Sequence, residues 1–177
     1  MDFKRIKHDK VFEGKVFDVW FDRIEYENGI RAEREAIDKH KEAAAVIGVD
    51  DEGCLILVEQ YRYGTGFTML EIPAGVMEPE EEPLACAKRE FEEETGLKPG
   101  SVTELFAYYV TPAYCNEKIY FFFAKDLTES SQHLDEDEFV EVHRFTPEEA
   151  LTMIEQGKIT DGKTVAAIYA AKAKGLI

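Results

Sequence analysis

The sequence predicts an α/β fold in which a mixed sheet is covered by helices on both sides, an α/β/α sandwich with a small N-terminal antiparallel β-unit added to it. Short apolar segments bounded by turn residues recur through most of the chain, as strands do. Segments with helix start and stop signals lie between these strands and after the last of them. The 177 residues are enough for one domain of ordinary size with a full core.

The first element is a hairpin unit that we place in residues 1–40. Lys15–Tyr26 alternates like a strand, and Asn28-Gly29 is a strong signal for a tight hairpin turn. The return strand, Ile30–Asp38, is polar and charged on one side. Such a unit cannot bury both faces of its sheet alone, so we expect it to form a dimer contact or a substrate edge.

Residues 41–177 are predicted to form the main domain, whose second hairpin turns at Asp50–Gly53. Its predicted strands are Ala43–Val49, Cys54–Gln60, Leu70–Ile72, Val102–Tyr109, Lys118–Ala124 and Val140–Phe145. Leu70–Ile72 ends at Pro73, and Gly75 is expected to begin a turn.

Two helices are predicted at the end of the chain. Thr146–Glu149 has the pattern of a capping box with proline at the first helical position, followed by an apolar repeat. Asp161 is expected to cap the last helix, Thr164–Lys174, which Gly175 ends. Together with an earlier helix, they cover both faces of the predicted sheet.

The earlier helix lies within residues 75–97 and is the most informative segment of the chain. Its Glu90, Glu93 and Glu94 have i, i+3, i+4 spacing and therefore share one helix face. Gly96 is expected to end this helix. Carboxylates at this spacing repel one another, and a divalent cation that prefers oxygen ligands removes that penalty. A solvated acidic face is the alternative that spacing alone leaves open.

The same segment resembles the Nudix hydrolase signature, G-x5-E-x7-R-E-U-x-E-E-x-G-U, where U is a bulky apolar residue. Its specified positions are occupied by Gly75, Glu81, Arg89, Glu90, Phe91, Glu93, Glu94, Gly96 and Leu97. The resemblance implies the Nudix α/β/α sandwich for residues 41–177, and it implies a supporting role for Glu81.

The resemblance also implies the metal site. Glu90, Glu93 and Glu94 are implied to be metal ligands, with the backbone carbonyl of Ala74 as a further ligand. Arg89 is implied to orient these carboxylates through salt bridges, so we count Arg89 and Glu93 among the catalytic residues. The implied cofactor is Mg²⁺, with Mn²⁺ able to substitute.

Flanking segments are similar to the ADP-ribose pyrophosphatase branch of the family. These segments are Glu59–Arg62, Leu70–Gly75 and Thr111–Lys118. The branch usually has Ser-Pro-Gly where this chain has Thr111-Pro112-Ala113. Alanine does not adopt φ > 0 as readily as glycine, so we expect this loop to differ in shape.

The substrate and base residues are taken from the same resemblance. Arg62 offers a fixed fork of donors to phosphate oxygens, the alternative being a surface pair with a nearby glutamate. Arg34, on the N-terminal unit, is implied to reach the substrate from a neighbouring subunit. In the Ser130–Glu138 loop, expected to be a mobile lid, Glu136 matches the base and Glu138 a second carboxylate at the substrate or metal. A solvated acidic loop is the alternative.

Composition limits the partners and the compartment. The net charge of −16 repels nucleic-acid backbones and anionic membranes, so we expect neither as a partner. The N-terminus lacks a signal-peptide pattern, and no apolar run approaches the ~20 residues of a membrane span. The 3 cysteines lack C-x-x-C spacing, which favours a reducing compartment, the cytoplasm.

The resemblance implies Mg²⁺-dependent hydrolysis of ADP-ribose to AMP and ribose 5-phosphate, in a homodimer whose N-terminal hairpins are exchanged. Two alternatives stay open. One is a pyrophosphatase for another nucleoside diphosphate sugar, such as GDP-mannose, and the other is a non-catalytic module that binds ADP-ribose. The complete carboxylate set argues against the module, because binding alone gains little from clustered metal ligands.

Overall fold

The computed structural model describes residues 2–134, 136 and 138–177. They form two compact units: the first comprises residues up to Glu42 with Tyr108–Ile119, and the second comprises Ala43–Ala107 and Tyr120–Ile177. The boundary at residue 40 between a hairpin unit and a main domain stays a prediction. The segment Tyr108–Ile119 was not predicted to belong to the first unit.

The first unit contains a three-stranded antiparallel sheet. Its strands, in spatial order, are β1 (Phe3–Glu13), β2 (Phe17–Tyr26) and β3 (Arg31–Lys39). The predicted turn is confirmed, since Gly29 has φ 82° and the Tyr26 N–H donates to the Ile30 carbonyl at 2.9 Å. Strand β1 was not predicted. Almost all of its residues are exposed and its register shifts twice, so its sequence lacks regular alternation.

The segment Tyr108–Ile119 contributes a loop that pairs with the edge of β3. The Ile37 N–H donates to the Tyr114 carbonyl at 2.6 Å, and the Asn116 N–H donates to the Ile37 carbonyl at 3.3 Å. The Asn116 side-chain amide donates to the Asp38 carboxylate at 2.6 Å, and its oxygen accepts from the Lys39 N–H at 2.7 Å. Ala113 does not adopt a positive φ, so the loop conformation here does not require glycine.

Most of a seven-stranded mixed sheet lies in the second unit. Its strands are β4 (Ala43–Val49), β5 (Leu55–Arg62), β6 (Phe67–Glu71), β7 (Ala74–Val76), β8 (Leu97–Tyr109), β9 (Lys118–Glu129) and β10 (Val140–Phe145). The order is β10-β5-β4-β9-β8, with β6 beside β5 and β7 beside β4. Gly75 was expected to begin a turn but lies in β7, because Ala44 and Gly75 pair across two antiparallel strands.

Three helices occur in the described chain: α1 (Pro83–Thr95), α2 (Pro147–Glu155) and α3 (Gly162–Ala173). Their predicted ends are confirmed. Gly96 caps α1 with φ 67°, Thr146 and Glu149 form the reciprocal capping box of α2, and the Asp161 side chain accepts from the Thr164 N–H at 3.0 Å. None of these described helices is long and apolar enough to cross a membrane.

The sheet is packed on both faces. Ala44, Val46 and Ile56 form a buried cluster with Ala87 and Phe91 of α1. The alternate residues of β4 are also fully buried, and α3 packs against that strand. This agrees with the predicted α/β sandwich. Glu94 is buried on the same side of α1 as Ala87 and Phe91, whereas Glu93 is 37% exposed.

Candidate active site

Arg89 joins three of the carboxylates on and before α1. Its Nε and Nη2 donate to Glu81 at 2.9 Å each, and its Nη1 donates to Glu90 at 2.7 Å and to Glu93 at 3.0 Å. Because the guanidinium is planar and its donors are fixed, these bonds hold the three carboxylates in one arrangement. The structure therefore brings together Glu81, Arg89, Glu90 and Glu93.

Glu94 is the most deeply buried of the acidic side chains on α1. It is 5% exposed, and the Ala74 N–H donates to its carboxylate at 3.3 Å. Burial raises the pKa of Glu94 to about 8, and the negative charge of Glu90 acts in the same direction. Burial also raises the pKa of Glu90, although Arg89 opposes that shift. Ala74, a predicted ligand through its carbonyl, thus lies beside the acidic face.

The backbone of β7 approaches the acidic face very closely at Gly75. A Cβ atom built on this glycine would lie 2.0 Å from the carboxyl carbon of Glu90. No side chain fits at this position without moving that carboxylate. Because Gly75 has no side chain, there is room for the Glu90 carboxylate beside β7.

These residues fit a divalent cation. Glu81, Glu90 and Glu93 share Arg89 as the one basic side chain hydrogen-bonded to them in the described part of the chain. Burial of Glu94, together with the negative charge of Glu90, raises the pKa of Glu94, so the protein groups alone do not favour its ionised form. Clustered carboxylate oxygens are the donors that hard divalent cations prefer.

Arg62, the predicted phosphate ligand, is paired with a buried glutamate rather than with a surface one. Its Nε and Nη2 donate to the two carboxylate oxygens of Glu71 at 2.7 Å each. The Arg62 side chain is still 40% exposed. Its bonds to Glu71 raise the pKa of the guanidinium, and the charge of Glu94 adds to that effect. Sequence reasoning gave Glu71 no role, and the only signal was an acid between the apolar Leu70 and Ile72.

Arg34 lies in the first unit. Its Nη2 donates to the Tyr26 hydroxyl at 2.9 Å, and its Nη1 donates to the Glu33 carbonyl at 2.8 Å. Both Arg34 and Trp20 line an open cavity of about 710 Å³ that belongs wholly to this unit. The substrate-binding role of Arg34 stays a prediction.

The 130–138 loop begins against the C-terminal half of α1. The bonds are Gln132 Nε2 to the Glu94 carbonyl at 2.7 Å, the His133 N–H to the Glu93 carbonyl at 2.9 Å and Ser130 Oγ to Glu92 at 2.6 Å. Glu136 is exposed in a turn, and nothing described places it among the carboxylates of α1. Glu138, also exposed, is close enough for its charge to raise the pKa of both Glu90 and Glu94. Asp135 and Asp137, which belong to the same acidic loop, lie outside the described residues.

A second group of possible metal ligands lies on the other face of the sheet. Ligand atoms of Glu59, Glu141 and His143 are all within 4.8 Å of one another, and His143 Nε2 is 3.1 Å from Glu59. Val142 packs on the cluster that includes α1, so its neighbours in β10 point to the opposite face. This group is separate from the acidic face of α1, and a partly exposed imidazole–carboxylate pair needs no metal ion.

Comparison with known proteins identifies close relatives. The chain is 42% identical over 170 residues to ADP-ribose pyrophosphatase of Bacillus subtilis (strain 168), covering 95% of this chain and 91% of that protein. It is 39% identical over 167 residues to the methanol dehydrogenase activator of Bacillus methanolicus, covering 93% and 90%. A crystal structure of an ADP compounds hydrolase matches with a TM-score of 0.90 and 25% identity, covering 100% of this chain and 98% of that one.

The family model also matches the segment that carries the site. The model described as NUDIX domain matches residues 39–168, which include β7, α1 and the 130–138 loop. This range is well over half of the 177 residues. The chain therefore belongs to the NUDIX family.

Proposed function

We propose that this protein hydrolyses the diphosphate of ADP-ribose with the help of a divalent cation. Water adds to one of the two phosphorus atoms, the bond from that phosphorus to the bridging oxygen breaks, and AMP and ribose 5-phosphate are released. The cation that we propose is Mg²⁺, with Mn²⁺ able to substitute.

The observation that carries the proposal is the carboxylate face of α1, ordered by the four bonds from Arg89 to Glu81, Glu90 and Glu93. A chain with net charge −16 repels a diphosphate unless that charge is offset at the site. The relatedness to an ADP-ribose pyrophosphatase over nearly the whole chain supports ADP-ribose as the substrate.

The acidic face and the strand beside it would hold the cation. Glu90, Glu93, Glu94 and the carbonyl of Ala74 are the proposed ligands, and Arg89 keeps the carboxylates in position. The bound cation supplies neutralisation of the diphosphate charge in the transition state. Glu93, the most exposed of the three carboxylates at 37%, has the side chain most open to a substrate.

Other residues bind the substrate and accept the proton. Arg62 donates to a phosphate oxygen, and Arg34 of a second subunit contacts the same substrate. Glu136 is the proposed general base that takes the proton of the attacking water, with Glu138 as a second carboxylate beside it. The influence of Glu138 on the pKa of Glu90 and Glu94 supports a place for this loop at the site.

The test is an assay of AMP release from ADP-ribose, beside GDP-mannose and ADP-glucose, with Mg²⁺, with Mn²⁺ and with EDTA. We expect cation-dependent turnover that is fastest on ADP-ribose. Faster turnover of GDP-mannose would mean that the protein prefers another nucleoside diphosphate sugar but still catalyses the proposed hydrolysis. Tight binding of ADP-ribose without turnover of any of the three compounds would mean a binding module and would overturn the proposal.

We further propose that the protein is a homodimer in which the N-terminal β-units of two chains are exchanged. Support comes from the first unit, which exposes large apolar side chains that its own sheet does not cover. They are Phe3, Ile6, Val11, Phe12, Val16 and Phe17, with exposed fractions of 37–62%.

A cytoplasmic location stays a prediction. The three cysteines, Cys54, Cys86 and Cys115, are free thiols.

A further inference from the structure

Glu71 at the end of β6 is a buried acid with two basic partners. Its side chain is 1% exposed, and it receives two bonds from Arg62 and one from Lys163 at the start of α3. Burial would raise the pKa of Glu71, but the bonds from Arg62 and Lys163 bring that pKa below its usual range. The carboxylate is therefore ionised and fully engaged at neutral pH.

The pairing fixes the plane and the direction of the Arg62 guanidinium. Nε and Nη2 face the two oxygens of Glu71, each at 2.7 Å. The opposite end of the fork, at Nη1, has no hydrogen-bond partner in the part of the chain that the structure describes. A planar group held along one edge presents its remaining N–H donors in one set direction. This free end is available to an anion from solution.

Lys163 is the second basic partner of Glu71. Its Nζ bonds to the Glu71 carboxylate and, at 2.9 Å, to Asp161, the cap of α3. The Thr164 hydroxyl donates to Asp161 at 2.6 Å and accepts from the N–H of Ile72 at 2.8 Å. The residue after Glu71 is thus bonded to the same helix end, so the end of β6 and the start of α3 are held together.

The charges around Arg62 balance within the protein. The positive charges of Arg62 and Lys163 are matched by the carboxylates of Glu71 and Asp161, so the attraction for an anion comes from the free N–H donors of Arg62. Arg62 is also near the acidic face of α1, since its charge lowers the pKa of Glu94 against the effect of burial.

We propose that Glu71 is a positioning residue that fixes Arg62 with its free end toward the substrate diphosphate, and that Lys163 holds Glu71 for this task. The inference rests on the proposed function, because it assigns the anion at Arg62 to the diphosphate. A side chain that is already ordered loses less conformational entropy when it binds, so the expected gain is in substrate affinity.

The test is a double-mutant cycle of wild type, Glu71→Gln, Arg62→Met and the double variant. KM and kcat for ADP-ribose are measured with saturating Mg²⁺, and the Kd for ADP-ribose is measured by calorimetry in EDTA. We expect Glu71→Gln to raise KM and Kd about tenfold while kcat changes less than threefold. In the Arg62→Met background we expect Glu71→Gln to raise KM and Kd by less than twofold, because the guanidinium that Glu71 positions is absent.

A purely structural role would give a different result. Glu59→Gln is the control, because it makes the same chemical change at another glutamate that is paired with a basic side chain, here His143. This variant should leave KM and Kd unchanged. Melting temperatures of all variants show whether loss of stability accounts for the kinetics. Additive effects of Glu71→Gln and Arg62→Met on Kd would overturn the inference, as would an unchanged Kd in a folded Glu71→Gln variant.

The same experiment separates this inference from the proposed function. If the wild type binds ADP-ribose without hydrolysing it, the proposed hydrolysis fails, while the cycle in Kd still decides the role of Glu71. If the wild type hydrolyses ADP-ribose and the cycle is additive, only the role of Glu71 fails. A wild type that neither binds nor hydrolyses ADP-ribose overturns both. Lys163→Met, which removes the support of Glu71 and leaves Arg62 intact, should reproduce part of the Glu71→Gln effect on Kd.

Discussion

Glu93 differs from Glu90 and Glu94 on the acidic face because its side chain is the most exposed, although Arg89 donates to it as it does to Glu90. Replacing its carboxylate by an amide keeps the side-chain size and removes the charge of a proposed metal ligand. We therefore expect Glu93→Gln to lower the rate of AMP release by about a thousandfold, which is at the upper end of what a lost charge-stabilising group costs. The melting temperature should change little, because the site is at the surface.

Glu92→Gln is the matched control for this prediction. Glu92 is the adjacent residue on α1, and its carboxylate accepts from Ser130 rather than from Arg89. The same chemical change at this position should leave the rate within a few-fold of wild type. Equal losses in Glu92→Gln and Glu93→Gln would remove the basis for assigning Glu93 to the metal.

Glu94 should make the stability of the metal-free protein depend on pH. Its pKa in the folded protein is raised from 4.5 to about 8, so between these values the folded state keeps a proton that the unfolded chain has released. Stability must then fall as pH rises through this range. Cation binding requires the ionised carboxylate, so Mg²⁺ should raise the melting temperature more as the pH approaches the pKa of about 8.

Melting curves with EDTA and with Mg²⁺ between about pH 5 and pH 8 measure both effects. In Glu94→Gln the pH-dependent loss of stability in EDTA should disappear, because the titrating group is gone. A wild type whose EDTA and Mg²⁺ curves stay parallel across the range would show that Glu94 does not couple its proton to the cation.

The two candidate bases can be separated by their effects on kcat and on the Mg²⁺ requirement. Glu136→Gln should lower kcat by about a hundredfold, as removal of a general base does. Glu138→Gln should instead raise the Mg²⁺ concentration needed for half-maximal activity, because Glu138 adds negative charge near Glu90 and Glu94. Interchanged phenotypes would assign the base to Glu138.

At the scale of elements, the approach of β7 to α1 shapes the carboxylate face. The built Cβ of Gly75 collides with Glu90 at 2.0 Å, so Gly75→Ala must displace that carboxylate or separate the strand from the helix. We expect at least a tenfold rise in the Mg²⁺ concentration for half-maximal activity, measured by titration with ADP-ribose saturating. Gly162→Ala is the control, since a Cβ there meets nothing within 4 Å and alanine favours the first turn of α3. A similar Mg²⁺ requirement in both variants would contradict this role of Gly75.

The elements that could be predicted are those whose signals are local. Caps, glycine stops and apolar alternation mark the helix ends and most strands of the second unit. The helix ends agree closely with the structure, whereas β8 begins five residues before its predicted start and β9 ends five residues after its predicted end. Strand β1 lacks such a signal because its side chains are exposed on both faces. Strand β7 is three residues long and depends on pairing with Ala43–Ala45, which no local pattern reveals.

The same reasoning explains which parts of the site could be predicted. The three carboxylates of α1 and Arg89 lie within one helix, so their spacing is readable in the sequence. Glu71 and Lys163 are 92 residues apart, and their contact exists only because β6 and α3 meet in the folded protein. Likewise, Glu136 could be matched by position, but its distance from the acidic face depends on a loop conformation that sequence does not determine.

At the scale of the whole molecule, the net charge acts against self-association. Two chains of charge −16 repel one another at low ionic strength, and salt screens this repulsion. In the proposed dimer, the exposed apolar side chains of the first unit would supply the opposing attraction. We therefore expect the dimer dissociation constant to decrease as salt is raised from about 0.01 M to about 1 M. Sedimentation equilibrium measures it, and an interface held mainly by ion pairs would respond in the opposite direction.

The proposed dimer can be disrupted from the first unit. Phe12 is 52% exposed and its ring lies 5.8 Å from that of Phe17, so the two form part of the uncovered apolar surface. Burial of such a side chain at an interface contributes about 2 kcal/mol, and a carboxylate in its place would be both unpaired and repelled. Phe12→Asp should therefore convert the dimer to a monomer in light scattering after size exclusion.

Tyr169→Asp makes a comparable change at an exposed aromatic side chain of α3, 46% exposed in the second unit, and should leave the dimer intact. Because the proposed site includes Arg34 of a second subunit, the Phe12→Asp monomer should also lose turnover of ADP-ribose. Raising the protein concentration should restore turnover in step with the dimer fraction. A monomer that keeps full activity would show that each chain carries a complete site and would remove Arg34 of the second subunit from it.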